Sequence, residues 1–239
     1  MTRDGGAVVT APAGGWTTGT IIELDHPTDR LVRLRLHVDD RVDHLAGQHY
    51  VVRLRAPDGY TAQRSYSVAS DPDDPLLELM VECLPGGEVS GFLHDVAEVG
   101  DVLELRGPIG GWFVWEGDVP AVCIAGGSGV VPVVAMARVA RRLGVQDLLR
   151  VVVVARTWGE LPYAAELERY GALVALTREN LGERVAAPPY PEEVAPLVSG
   201  AERAYVCGSV GFASYATRLL EESGLRSDAI RVEQFGETG

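Results

Sequence analysis

From Trp16 to Trp115 apolar and polar positions alternate in short runs. Val32, Leu34, Leu36 and Val38 are interleaved with Arg33, Arg35 and His37. Tyr50, Val52 and Leu54 recur with Arg53 and Arg55 between or beside them, and Leu77, Leu79, Val81 and Cys83 alternate with Glu78 and Glu82. Leu103 and Leu105 do the same with Glu104 and Arg106. A period of two sends successive side chains to opposite faces, so each run predicts a half-buried antiparallel strand. Ala56-Pro-Asp-Gly59, Asp71-Pro-Asp-Asp-Pro75, Pro85-Gly-Gly87 and Gly107-Pro108 supply the turns. About six such strands in roughly a hundred residues predict a small antiparallel barrel. One helix is expected to interrupt it at Ser90–Asp95, after Gly86-Gly87.

The pattern changes after Glu116-Gly-Asp-Val-Pro120. Ala121–Ala125 is wholly apolar and is followed by Gly126-Gly-Ser-Gly129 and a helical stretch to about Leu143. Leu149–Ala155 is a second apolar, β-branched run; a helix is predicted over Leu161–Tyr170 and a strand over Leu173–Thr177. Ala204–Cys207 and Ile230–Phe235 read as strands, with a helix between them that places Phe212, Tyr215, Ala216, Leu219 and Leu220 on one face. Residues 179–190 read as an irregular loop. Continuous apolar strands alternating with helices predict a Rossmann-like parallel sheet covered on both sides. The expected organisation is a loose tail over residues 1–15, a barrel over 16–116 and an α/β domain over 117–239.

Composition narrows the function classes. The 239 residues are 46% apolar and 23% charged, as in ordinary globular proteins. A net charge of −13 argues against nonspecific nucleic-acid binding. Cys83, Cys123 and Cys207 form no CxxC pair, which excludes a disulfide framework, a zinc finger and a cysteine-ligated iron–sulfur cluster. Their odd number suits a reducing compartment. The Gly-, Ala- and Thr-rich start has no apolar leader core, and no run approaches membrane-spanning length. The chain is read as cytoplasmic, with no metal site and no membrane insertion.

Four stretches carry candidate chemistry. In Gln63-Arg-Ser-Tyr-Ser67, Arg64 and Tyr66 share one face of an extended strand, where a guanidinium can clamp a phosphate beside a ring that stacks on a heterocycle. In Gly86-Gly-Glu-Val-Ser90, glycines let the backbone approach an anion, and Ser90 is placed to cap the following helix. Gly126-Gly-Ser-Gly-Val-Val-Pro132 lies between a strand and a helix, as a dinucleotide-binding loop does. Gly127 and Gly129 fit that pattern, and Pro132 stands in the third glycine's place, in a helix's first turn where its missing N–H costs nothing. Val206-Cys-Gly-Ser-Val-Gly-Phe212 sits at another strand-to-helix turn, with Cys207 either a buried small residue or a neighbour of a reacting ring.

Taken in order, Arg64-Ser-Tyr-Ser67, Gly87-Glu-Val-Ser90, Gly107-Pro-Ile-Gly110, Gly126-Gly-Ser-Gly-Val-Val-Pro132 and Val206-Cys-Gly208 resemble the ferredoxin–NADP⁺ reductase superfamily over nearly the whole chain. The resemblance implies an FAD-binding barrel followed by an NAD(P)-binding α/β domain. It implies that Arg64 meets the FAD pyrophosphate, that Ser65, Tyr66 and Ser67 line the flavin and ribityl region, and that Gly87, Val89 and Ser90 give a second grip on the pyrophosphate. Gly126, Gly127, Ser128, Gly129 and Pro132 would receive the pyridine-nucleotide pyrophosphate, and Cys207 and Gly208 the nicotinamide. Ser67, Cys207 and Glu233 are the candidates beside the reacting rings, and Phe235 is a candidate cover for the isoalloxazine. Plant-type relatives end on a Tyr there, whereas four residues follow Phe235.

Arg156 and Arg178 follow two strand ends where an NAD-type site has an acid, and they point to NADPH over NADH by offering a 2′-phosphate clamp. Arg156 could instead pair with Glu160 or Glu179. Three scattered cysteines hold no cluster, so the electron acceptor is expected to be a separate ferredoxin or partner metalloenzyme such as an oxygenase. Arg33, Arg35, Arg53 and Arg55 are a candidate basic patch for an acidic partner. The rival readings are a reductase of free flavins or quinones, and a non-catalytic nucleotide-binding subunit.

Overall fold

The computed structural model describes residues 15–235; most of the expected tail, and the four residues after Phe235, lie outside them. The chain forms two sheets. The first holds β1 (Trp16–Thr28), β2 (Leu31–Val38), β3 (His49–Arg55), β4 (Thr61–Ser67), β5 (Leu77–Glu82) and β6 (Val102–Ile109). They run antiparallel in the order β4-β3-β6-β1-β2-β5. The sheet is barrel-like without closing, since β4 and β5 remain its two edges. The helix α1 (Glu88–Asp95) packs against both edges. One face of the alternating runs, with Val32, Leu34, Leu36, Tyr50, Val52, Leu77, Leu79 and Leu105, forms the barrel core.

The second sheet is parallel, in the order β11-β10-β7-β8-β9, from β7 (Ala121–Gly126), β8 (Leu149–Ala155), β9 (Leu173–Leu176), β10 (Arg203–Gly208) and β11 (Ile230–Gln234). Both faces are apolar. Cys123, Ala125, Val151, Val153, Tyr205 and Cys207 meet α2 (Val130–Leu143) and α3 (Ala164–Tyr170). Val122, Ile124, Val152, Ala204 and Val206 meet α4 (Pro191–Val198) and α5 (Val210–Glu222). Phe113 and Trp115, in the connection between the sheets, are buried against the α2 side.

Three local expectations change. The helix expected over Leu161–Tyr170 begins only at Ala164, because Tyr163 before it takes a left-handed backbone, φ 58° and ψ 24°. α4 has no counterpart in the sequence reading; two prolines, Pro191 and Pro196, obscure its period, and its start is fixed by a reciprocal bond pair between Tyr190 and Glu193. Ser90 is not the cap of α1. Gly87 occupies that position, and the Ser90 hydroxyl inside the first turn accepts from Leu84 N at 3.3 Å and donates to Gly87 O at 3.4 Å.

Candidate functional site

Arg64, Ser65, Tyr66 and Ser67 end β4, an edge strand. Arg64 lies opposite Val52 and Tyr66 opposite Tyr50, both core residues of β3, so Arg64 and Tyr66 share the core-side face. The Tyr66 ring packs against the barrel core, and burial pushes its phenol well above the ordinary range. Arg64 is exposed and spends one hydrogen bond on its neighbour's carbonyl, Gln63 O at 2.8 Å. Ser67 is only 5% exposed, and its hydroxyl has no hydrogen-bond partner among the described residues. Buried hydroxyls are rarely left unpaired, so this one is available to water or to a group bound at the strand end. His49, which the sequence reading passed over, pairs with Ser67 across the strands, and burial holds its imidazole below its ordinary value.

The Gly86–Ser90 turn faces the same edge. Tyr60, ahead of β4, donates to the Glu88 carboxylate at 2.9 Å and ties this turn to the Arg64 strand. Gly86 has φ 72° and open space where a Cβ would stand. Val89 and Ser90 are buried, so what this turn offers outward is backbone N–H groups of the first turn of α1.

On the second sheet the glycine motifs converge at the carboxyl edge of the strands. A Cβ on Gly129 would lie 2.4 Å from Cys207 O, so this glycine lets the start of α2 press against the end of β10. Gly127 has φ 56° with nothing within 4 Å, and Ser128 beside it is half-buried. Pro132 lies in the first turn of α2. The Phe212 ring covers two strand ends at once: a Cβ on Gly126 or Gly208 would meet it at 2.8 or 2.6 Å. Sequence periodicity gave Phe212 only a packing role; the glycines flanking it in space were the available signal.

Cys207 is fully buried, and burial, with the neighbouring Glu233 charge second, pushes its thiol well up. It is therefore a neutral thiol, not a nucleophile. Glu233 stands in register with Cys207 on β11, and burial pushes its carboxyl up to about 7. Phe235 extends this edge: its N–H donates to Gly208 O at 2.9 Å, and its ring packs against the α2-side core.

Arg156 and Arg178 follow the ends of β8 and β9 and are exposed. Arg178 N donates to Arg156 O at 2.8 Å, which sets the two residues side by side. Glu179 does not neutralise Arg156; its carboxylate accepts from Trp158 N at 2.8 Å. The candidate basic patch fares differently. Arg33 pairs with Asp25, Arg35 with Asp74 and Glu78, and Arg53 and Arg55 both with Glu104. Arg33 and Arg35 are therefore matched by carboxylates, whereas Arg53 and Arg55 share the one carboxylate of Glu104.

Residues 21–114 match the family described as oxidoreductase FAD-binding domain. The chain is 25% identical over 238 residues to the ferredoxin–NAD(P)⁺ reductase component of the naphthalene 1,2-dioxygenase system of Pseudomonas putida, covering 95% of this chain and 71% of that one. The FAD/NAD-binding domain of nitric oxide dioxygenase from Vibrio cholerae O1 biovar El Tor superposes with a TM-score of 0.82 at 22% identity, over 92% of this chain and 99% of that one. A ferredoxin–NADP⁺ reductase from Neisseria gonorrhoeae, solved with bound FAD and NADP, gives 0.77 at 18% identity over 92% and 98%. The first sheet is thus matched by the FAD-binding domain family, the chain is similar over nearly its whole length to a ferredoxin–NAD(P)⁺ reductase component, and its two-sheet fold is shared with these solved FAD- and nucleotide-binding proteins.

Proposed function

We propose that this chain is an FAD-dependent NAD(P)H oxidoreductase, the electron-input component for a separate ferredoxin or oxygenase component in the cytoplasm. Residues 16–116 form the FAD-binding unit and 117–239 the nucleotide-binding unit. The observation that carries this reading is the buried, unpaired hydroxyl of Ser67 at the end of the strand that also presents Arg64 and Tyr66. FAD fits these residues. Arg64 would hold the pyrophosphate with the N–H groups of Glu88 to Ser90, the Gly87 N–H being spent on Leu84 O, Tyr66 would stack on the ring system, and Ser67 would give its hydroxyl to the ring edge. When bound, FAD supplies two-electron acceptance from a nicotinamide and one-electron release to a metal centre.

The protein's share of the work is orientation and exclusion of water. The Gly127–Gly129 turn and the start of α2 present backbone N–H groups to a nucleotide pyrophosphate. Phe212, Cys207 and Gly208 form a dry, closely packed wall at the strand ends for the nicotinamide. The Glu233 carboxyl, held near neutrality, can keep or give up a proton at that wall. Arg156 and Arg178 favour NADPH, their side-by-side guanidinium stems being free for a 2′-phosphate.

The test is FAD-loaded protein with NADPH and ferricyanide as acceptor. Turnover of the dye supports the proposal. Arg64→Ala is expected to weaken FAD retention by about tenfold or more, the loss of one charge-assisted phosphate contact. Ser67→Ala is expected to retain FAD and slow turnover. Protein that binds FAD but turns over no acceptor with either nucleotide would leave only a binding subunit.

A further inference from the structure

A buried ionic cluster joins β5 of the first sheet to the helices α2 and α3 that cover the second. Glu78 of β5 was expected on the polar face of its strand, yet it is 1% exposed. Its Oε1 accepts from Arg138 of α2 at 3.0 Å and from the Tyr163 hydroxyl at 2.7 Å, and its Oε2 accepts from Arg35 at 3.3 Å. Arg138 grips Glu166 of α3 with a two-pronged contact at 2.9 and 2.8 Å, and donates to Ala69 O at 2.9 Å. Leu31, Ala69, Met80 and Val131, with Tyr163, form an apolar collar around the cluster. The left-handed backbone of Tyr163 is held by this contact and by the Arg138 guanidinium 5.2 Å from its ring centre. A non-glycine residue in that region is retained only where its surroundings fix it.

The two ends of Arg138 explain what the cluster is for. Its helix starts at Val130, directly after the Gly127–Gly129 turn, and its guanidinium bonds the backbone two residues beyond Ser67. One side chain therefore links the helix that begins at the proposed nucleotide turn to the segment that lines the proposed flavin site. We infer that Arg138 and Glu78 are positioning residues that set the distance and angle between the nicotinamide and the flavin, and that Tyr163 completes the lock. The inference rests on the reductase reading above. A planar, always-charged fork is suited to the task, because it fixes angle as well as distance. Displacement of reacting groups by about 1 Å costs on the order of a hundredfold in rate.

The experiment uses the FAD-loaded full chain and its Glu78→Gln, Arg138→Lys and Tyr163→Phe variants. Stopped-flow flavin reduction at saturating NADPH should slow by about tenfold or more in Glu78→Gln and Arg138→Lys, and by less in Tyr163→Phe. FAD content and NADPH affinity should stay within about twofold of the parent, and the isotope effect with 4-deuterated nucleotide should rise. Unchanged reduction rates with lower melting temperatures would overturn the inference and leave a structural role. Should Glu78→Gln fail to fold, Tyr163→Phe and Arg138→Lys decide it by the same readouts. A parent protein that no nucleotide reduces would defeat the reductase reading. The clamp is then judged by spin-label distances between Asp58→Cys and Glu192→Cys in a Cys83→Ser background: a distribution broadened by Arg138→Lys supports it, and an unchanged one overturns it.

Discussion

Glu233 sits opposite Cys207 in a partly desolvated place, and burial alone lifts its carboxyl to about 7. Between the ordinary carboxylate range and 7 the folded chain holds a proton that the unfolded chain has released. Stability is therefore lost as pH rises through that window. Melts of the apoprotein from pH 5 to 8 should fall with a slope that Glu233→Gln flattens; parallel curves for the two proteins would contradict the assignment. Glu233 was visible in the sequence only through its place in the superfamily order, because burial depends on neighbours that a local pattern does not show. Glu78 teaches the same point in reverse. Alternation put it on the wet face of β5, and α2 and Tyr163 pack over that face.

At the scale of elements, the strands were legible wherever one face meets solvent or both faces are apolar, as in β2 and β7. α4 was not, since prolines at its start and inside it disguise the helical period. The Gly126–Gly129 turn was legible as a motif but not in the division of labour among its glycines. Gly129 is required for close approach to Cys207, whereas Gly127 is required for its backbone angle alone. Gly129→Ala should cost about 1–3 kcal/mol or more through overpacking. Gly127→Ala, with open space, should cost only the left-handed strain of about 1–2 kcal/mol. Chemical denaturation of the two variants measures the order, and a larger loss for Gly127→Ala would contradict the packing described.

At the scale of the whole molecule, two sheets and an ordered series of glycine turns bring the proposed flavin edge and the proposed nucleotide edge into one protein. The order of those turns was readable in sequence. How the sheets meet was not, because the residues that join them are far apart in the chain: Glu78, Arg138 and Tyr163 belong to three different runs. The ion pairs of Arg33, Arg35, Arg53 and Arg55 were equally hidden, because their carboxylate partners lie on neighbouring strands and loops. Arg156 and Arg178 remain exposed beside each other. Replacing either by Ala should raise the KM for NADPH by about tenfold while leaving that for NADH within about twofold, as loss of one charge-assisted contact requires. Equal effects on both nucleotides would remove the 2′-phosphate clamp.

Reduction by nucleotide of a flavin held by this chain is open to a direct test, an anaerobic titration. The FAD-loaded protein is followed at about 450 nm, where oxidised flavins absorb, while NADPH and then NADH are added. One equivalent of NADPH is expected to bleach the flavin, faster than NADH does. A protein that takes up no FAD, or one whose flavin neither nucleotide bleaches, would contradict the proposed function.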